Sequence, residues 1–306
     1  MSSKITKEKW ISLYCEIDDL QKSYESYCAS RSVGKASRPS REPGLSLSEL
    51  CTISVMYHFS GYKCMKYYYE SEILGQWHSW FPEAPSYERF VILTQRCPIL
   101  LMMWCLYTFS KSLRTGYYFI DSKSLAVCHP RREHSHKVFS GLAAKGKSSM
   151  GWFFGFKLHI VINHLGQIMN MKITAGNVAD NNLRLLQEIL ANLSGKCCGD
   201  KGYQTTLFEA FYQKGLLLLV KPKKNMKKAI LNLNDGIFIR KRGVIESVFD
   251  ILENICNVEH SRHRNPDNAL CSILSAVIAY QFMPTKPHIF IKGATNYLDY
   301  NNLNVA

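Results

Sequence analysis

The sequence has no apolar run long enough to cross a membrane and no C-x-x-C pair, and it has few acids in its second half. Its longest apolar stretches, near 99–109 and 273–282, are too short to span a bilayer and predict buried helices. The first residues lack the apolar core of a signal peptide. The eleven cysteines are odd in number and scattered, which argues against a disulfide framework. We therefore expect a protein of the reducing cytoplasm.

Positive charge is abundant and unevenly distributed. The formal net charge is +14, and residues 111–306 carry 26 Lys and Arg against 13 Asp and Glu, whereas residues 1–110 carry 12 against 11. Such a surplus favours a polyanionic partner, because neutralising phosphates releases condensed counterions. Solubility or attraction to a membrane surface would explain the same charge less specifically. The excess lies in the half of the chain that also holds the most suggestive acids.

Three segments are expected along the 306 residues. Residues 1–110 show apolar spacing typical of helices, with a capping box at Ser46 and Glu49, and predict an all-helical module. We expect this module to serve either recognition of DNA ends or dimerisation. Residues 111–285 alternate short strands with helices, including a hairpin that turns at 163–166, which predicts an α/β domain with a mixed sheet flanked by helices. Residues 286–306 form a C-terminal tail.

Three acids are the best candidates for chemistry. Asp121 closes the strand-like 117–120 and Asp200 closes the strand-like 196–199, and the carboxyl ends of strands form the ligand crevice of open α/β sheets. A strand-end Asp is also a common turn former or helix cap. Glu246 lies on the margin of an amphipathic helix, but Asp250 and Glu253 lie on the same side. Helical spacing alone therefore does not select Glu246.

An ordered series of motifs narrows the choice. Short strings follow one another in a fixed order: Phe-Ile-Asp-Ser at 119–122, the segment 151–159, Gly-Asn-Val-Ala-Asp at 176–180, Gly-Asp-Lys-Gly-Tyr at 199–203 and Arg-Gly-Val-Ile-Glu at 242–246. By this series the chain resembles the DDE transposases of bacterial insertion sequences, most closely insertion-sequence family 982, over about residues 45–290. The resemblance implies an RNase H-like catalytic domain in which Asp121, Asp200 and Glu246 form the DDE triad. Glu253 stands where related transposases often carry a basic residue.

The resemblance also implies a reaction and its partners. Two Mg²⁺ ions, replaceable by Mn²⁺, would be held by the triad, since carboxylate oxygens suit these ions. The protein would cleave the ends of its element in double-stranded DNA and join the freed 3′-hydroxyl to target DNA, as a homodimer on the bacterial nucleoid. A metal-dependent nuclease that never joins ends, or an inactive DNA-binding descendant of a transposase, are the alternatives.

Basic residues near the acids are the candidates for DNA contact. Lys157 and His159 lie on one face of a strand, and Arg242 precedes Glu246 by one helical turn, so it either grips a phosphate or pairs with the acid. A lysine-rich run falls between Asp200 and Glu246 and favours contacts with phosphate rather than with bases. The full set of predicted DNA contacts is Lys157, His159, Lys223, Lys224, Lys227, Lys228, Lys241, Arg242, Arg262 and Arg264.

Overall fold

The computed structural model describes residues 6–31, 44–149, 151–220, 233–259 and 263–291. The chain divides into two compact units, one formed by Met1–Thr108 with Leu252–Phe282 and the other by Phe109–Ile251 with Met283–Ala306. The sequence predicts residues 252–282 as part of the catalytic domain, whereas they pack with the N-terminal helices. The lysine-rich run at 223–228 lies outside the described residues.

The first unit is all helical among its described residues. Its elements are α1 Lys7–Ser30, α2 Leu47–Ser60, α3 Met65–Tyr68 with a π-helical continuation Tyr69–Gln76, α4 Tyr87–Leu93, α5 Pro98–Ser110 and α10 Pro266–Gln281. The predicted capping box is present: the Ser46 hydroxyl accepts the Glu49 amide at 3.1 Å, and the Glu49 carboxylate accepts the Ser46 amide at 2.6 Å. Among the described helices, none alone is long and apolar enough to cross a bilayer.

Helix α10 joins this unit because it is apolar on almost every side. Its residues from 273 to 280 are all buried, and so is nearly the whole of α2. Two such helices bury most apolar area by packing on each other. The thiol of Cys271 lies 3.8 Å from the hydroxyl of Ser54, and the thiol of Cys105 lies 3.7 Å from the Leu274 carbonyl.

The second unit contains a six-stranded mixed sheet. Its strands are β1 Tyr117–Cys128, β2 Ala144–Ser148, β3 Gly151–Asn163, β4 Ile168–Ala175, β5 Gly195–Gly199 and β6 Leu216–Val220. The order is β2-β3-β1-β5-β6, and β4 pairs along the same edge of β3 as β2. Strand β3 pairs antiparallel with β1, β2 and β4, whereas the pairs β1-β5 and β5-β6 are parallel. The predicted hairpin is β3-β4.

Helices cover both faces of this sheet. On one face Tyr118 and Ile120 of β1 join a buried core with residues of α6 Leu183–Ile189 and α7 Phe208–Gln213. On the other face Tyr117 and Phe119 pack against Phe238 of α8 Leu233–Arg240, with ring centroids 5.5 and 4.7 Å away. Helix α9, Gly243–Asn254, follows directly. A mixed sheet flanked by helices was predicted, and it is compatible with an RNase H-like fold.

Candidate active site

Strand register places two of the three predicted acids side by side. In the parallel pair β1-β5 the last bonded partners are Phe119 and Cys198. Carrying this register two residues further sets Asp121 beside Asp200, and the charge of Asp200 acts on Asp121. The sequence predicts that Asp121 closes its strand, but β1 continues to Cys128 because it stays paired with the long β3. Asp121 instead lies where β1 passes the end of β5.

Asp200 is held by the turn that follows β5. It caps the short 3₁₀ turn Lys201–Tyr203, and its Oδ1 accepts the Gly202 amide at 2.7 Å. The turn brings Gly202 close to two acids, because a Cβ on Gly202 would lie 2.9 Å from Asp200 Oδ1 and 3.3 Å from Asp180 Oδ2. The turn thus fixes one oxygen of Asp200 and brings a further carboxylate close to it.

Arg242 connects Asp121 to the third predicted acid. Its guanidinium donates to Asp121 Oδ2 and to Glu246 Oε1, both at 2.7 Å. Glu246 is in the first turn of α9, whose apolar side is buried, and its side chain is 60% exposed against 20% for Asp121. The prediction left open whether Arg242 grips a phosphate or pairs with Glu246. In this structure it pairs with two acids at once.

Burial is the main influence on the pKa of Asp121. Loss of solvent raises its pKa to about 6, and the charge of Asp200 adds to the rise. The Ser122 amide, which donates to Asp121 Oδ1 at 2.8 Å, and the Arg242 guanidinium lower the pKa again. Because burial is the largest cause of this raised pKa, a further positive charge beside Asp121 would strongly stabilise its ionised form.

The donor set suits a divalent ion of the Mg²⁺ type. Asp121, Asp200 and Glu246 offer only carboxylate oxygens, which hard cations prefer. Within the described part of the chain, no three His, Cys, Asp or Glu side chains are already arranged to hold a metal. The reason is visible in the contacts, since the Arg242 guanidinium lies between Asp121 and Glu246. An ion that gathers all three acids requires Arg242 to move.

A second polar cluster lies behind Asp121. Asp180 Oδ1 accepts the Ser122 hydroxyl at 2.9 Å and the Lys157 ammonium at 3.1 Å. An Asp shortly before a helix is commonly its cap, but the residue that caps α6 is Asn182, whose side chain accepts the Leu185 amide. The string Gly-Asn-Val-Ala-Asp at 176–180 was noted, yet nothing in it indicated that its Asp reaches Ser122.

Lys157 and His159 differ from their predicted role as DNA contacts. Lys157 is 12% exposed and donates to Asp180 and to the Val178 carbonyl. His159 is fully buried, its Nε2 pairs with the Thr174 hydroxyl at 3.0 Å, and burial lowers its pKa to about 4. The alternation of β3 correctly put both on one face, but that face is covered by the loop at 176–182. Neither side chain is presented to a phosphate in this arrangement.

The remaining predicted contacts have different settings. Lys241 is exposed next to Arg242, and Arg264 is exposed in the helical unit. Tyr203, three residues after Asp200, is not in the predicted set. Its ring is fully buried and so cannot stack on a base, and burial raises the pKa of its phenol well above the usual value. The predicted contacts that lie outside the described residues are Lys223, Lys224, Lys227, Lys228 and Arg262.

Comparison with known proteins bears on the same stretch of chain. A family model described as "Transposase DDE domain" matches residues 111–266, just over half of the sequence. The match contains Asp121, Asp200 and Glu246 and the whole mixed sheet. No curated protein matches the chain. With acids in register on neighbouring parallel strands and a family match across them, the chain belongs to the family that carries the transposase DDE domain.

Proposed function

We propose that this protein is an insertion-sequence transposase, similar to insertion-sequence family 982, with an RNase H-like catalytic unit. It cleaves the ends of its element in double-stranded DNA and joins the freed 3′-hydroxyl to target DNA. It works on the bacterial nucleoid in the cytoplasm, as a homodimer that brings two ends together. The observation that carries the proposal is the grouping of Asp121, Asp200 and Glu246 at the carboxyl end of β5, with Asp121 next to Asp200 and Arg242 bonded to both Asp121 and Glu246.

The three acids would hold two Mg²⁺ ions, with Mn²⁺ able to replace them. When bound, such ions neutralise phosphate charge, lower the pKa of the attacking water or hydroxyl, and stabilise the leaving oxygen. Asp121 is the acid best placed to be shared, because it stands next to Asp200 and reaches Glu246 through Arg242. Its raised pKa means that the carboxylate lacks full compensation for its burial.

Arg242 has a second part in this proposal. Its guanidinium pairs with Asp121 and Glu246, and the fork of an arginine also suits bidentate contact with a phosphate. With cations held by the acids, Arg242 would be free to contact the DNA backbone beside the scissile bond. Lys241 and Arg264, with the lysines at 223–228 and Arg262, extend the phosphate contacts without reading sequence.

The test uses the DNA that flanks the gene. Labelled fragments carrying the element ends are incubated with a target plasmid and Mg²⁺, using wild type and the variants Asp121→Asn, Asp200→Asn and Glu246→Gln. Asp250→Asn is the matched control, because Asp250 is exposed on α9 one turn beyond Glu246. We expect cleaved and joined products with wild type and the control, and none with the three variants.

The products separate the alternatives. Cleavage without joining would identify a nuclease. Binding of end DNA without cleavage by wild type would identify an inactive DNA-binding protein. Full cleavage by any of the three variants would refute the assignment of the triad.

A further inference from the structure

We propose that Asp180 is a positioning residue of the active site, which holds Asp121 and Asp200 in place from the opposite face of the sheet. The inference rests on the proposed function, in that these two acids are taken to bind the metal ions. It assigns to Asp180, Lys157 and Ser122 a role in metal affinity rather than in contact with DNA.

The first step is the geometry of β1. Successive side chains of a strand point to opposite faces, so Asp121 and Ser122 share a peptide but face opposite ways. Asp121 faces Arg242, whereas Ser122 pairs across the strand with buried His159. The Ser122 hydroxyl donates to Asp180 Oδ1 at 2.9 Å, and the Ser122 amide donates to Asp121 Oδ1 at 2.8 Å. A hydrogen bond that fixes Ser122 therefore also fixes the orientation of the Asp121 carboxylate.

The second step is how Asp180 is itself fixed. Lys157 donates to its Oδ1 at 3.1 Å and to the Val178 carbonyl at 3.0 Å, so one ammonium anchors the loop to β3 at two points. The loop can lie this close because Gly176, whose amide donates to the Gly155 carbonyl at 2.9 Å, has no side chain. A Cβ there would lie 2.6 Å from the Ala144 carbonyl oxygen.

The third step is the proximity of Asp180 to the turn that holds Asp200. The position that a Cβ would take on Gly202 lies 3.3 Å from Asp180 Oδ2 and 2.9 Å from Asp200 Oδ1. The Gly202 amide donates to Asp200 Oδ1. Asp180 thus lies beside the turn that fixes Asp200 while it accepts the hydroxyl of the residue that follows Asp121. One side chain is therefore next to the backbone segments that position both acids.

Two simpler readings fit less well. A direct metal ligand needs free oxygen lone pairs on the Asp121 face, but Asp180 Oδ1 already accepts two donors and its partner Ser122 faces the other way. A purely structural role for the ion pair between Lys157 and Asp180 explains the acid less well. Replacing a buried ion pair by apolar groups is often neutral for stability, so stability alone does not require Asp180. Residues that orient metal ligands through hydrogen bonds commonly control metal affinity.

The experiment measures Mn²⁺ affinity without DNA by titration calorimetry, in wild type, Asp180→Asn, Ser122→Ala and the double variant. Asn keeps the size of Asp, but it loses the charge that pairs with Lys157, and without that pair its oxygen is no longer fixed against Ser122. We expect Asp180→Asn to weaken Mn²⁺ binding about 10-fold or more and to raise the Mg²⁺ concentration for half-maximal cleavage by a similar factor. Ser122→Ala should weaken both less.

The double variant decides whether the two residues act as one unit. If Asp180 works through Ser122, the loss in the double variant is close to that of Asp180→Asn alone, whereas independent effects multiply. Lys157→Arg should retain most of the affinity and Lys157→Met should not. Unchanged Mn²⁺ affinity in Asp180→Asn, or fully multiplicative losses, would overturn the proposal.

The controls separate this inference from the proposed function. If Asp121→Asn binds Mn²⁺ as wild type does, the metal site itself is wrong and the proposed function fails. If Asp121→Asn abolishes binding while Asp180→Asn leaves it intact, only the role of Asp180 fails. Urea unfolding of each variant identifies a loss that reflects folding, and Ser122→Ala, a small change, keeps the test usable if Asp180→Asn does not fold.

Discussion

At the scale of single residues, His159 links the fold to pH. Its folded-state pKa of about 4 lies below the ordinary 6.5, so protonation favours the unfolded chain. The contribution of neutral His159 to stability is fully present above pH 6.5 and is lost as the pH falls from there toward 4. Burial is the main cause, with Lys157 acting in the same direction and Asp180 against it.

We expect this group alone to lower the free energy of unfolding by about 2 kcal/mol between pH 7 and pH 5. His159→Gln, which keeps a polar group opposite Thr174, should lack that contribution. Urea unfolding of both proteins at the two pH values gives the difference directly. An equal loss in wild type and variant would show that His159 is protonated in the folded protein.

Gly202 offers a test of how finely Asp200 must be placed. A Cβ there meets the ends of two acidic side chains rather than backbone, and such ends can shift at small cost. We expect Gly202→Ala to change unfolding by less than about 1 kcal/mol but to reduce cleavage about 100-fold, because a displacement near 1 Å is enough. Gly236→Ala, where a Cβ meets nothing within 4 Å, is the control. Equal cleavage by both variants would contradict the expectation.

These residues also show how far the sequence could lead. Apolar runs that end in an acid were enough to propose Asp121 and Asp200. The two strands are parallel neighbours, so their register places these acids side by side. Asp180 was missed because its partner Ser122 is 58 positions away, and only the folded loop brings them together. Lys157 and His159 were put on the correct common face, but alternation alone does not say which face another segment covers.

At the scale of elements, the pairing of β1 with β3 depends on Gly155. A Cβ on this residue would lie 2.0 Å from the Leu125 carbonyl oxygen and 3.1 Å from the Cα of Ala126, both parts of the β1 backbone. Backbone in a paired strand cannot step aside as a side-chain end can. Gly155, which lies within the string at 151–159, is therefore required for the contact of β3 with β1, and hydrophobic periodicity could not reveal this requirement.

We expect Gly155→Ala to lower the free energy of unfolding by about 3 kcal/mol, at the upper end for overpacking. Urea unfolding beside Gly236→Ala measures it. A change below about 1 kcal/mol would mean that β1 and β3 are not held in this register, and the placement of Asp121 on β1 would then need revision.

At the scale of the whole molecule, positive charge is concentrated after residue 110. If the proposed lysine contacts at 223–228 neutralise DNA phosphates, each contributes about 0.9 to the slope of log affinity against log salt. We expect replacement of Lys223, Lys224, Lys227 and Lys228 by Gln to flatten that slope while Mn²⁺ affinity stays unchanged. DNA binding is measured by fluorescence anisotropy over a salt series, in an Asp121→Asn background that prevents cleavage. Mn²⁺ affinity is measured separately, in protein that keeps Asp121.

The matched control removes the same charge from the first 110 residues, by replacing Lys7, Lys22, Lys66 and Arg89 with Gln. Residues 1–110 have nearly balanced charge, with 12 Lys and Arg against 11 Asp and Glu. We therefore expect these four substitutions to leave the salt dependence of DNA binding as in wild type. A flattened slope in the control and not in the lysine variant would move the phosphate contacts to the helical unit. DNA binding would then be a role of that unit, which is the first requirement for its recognition of an element end.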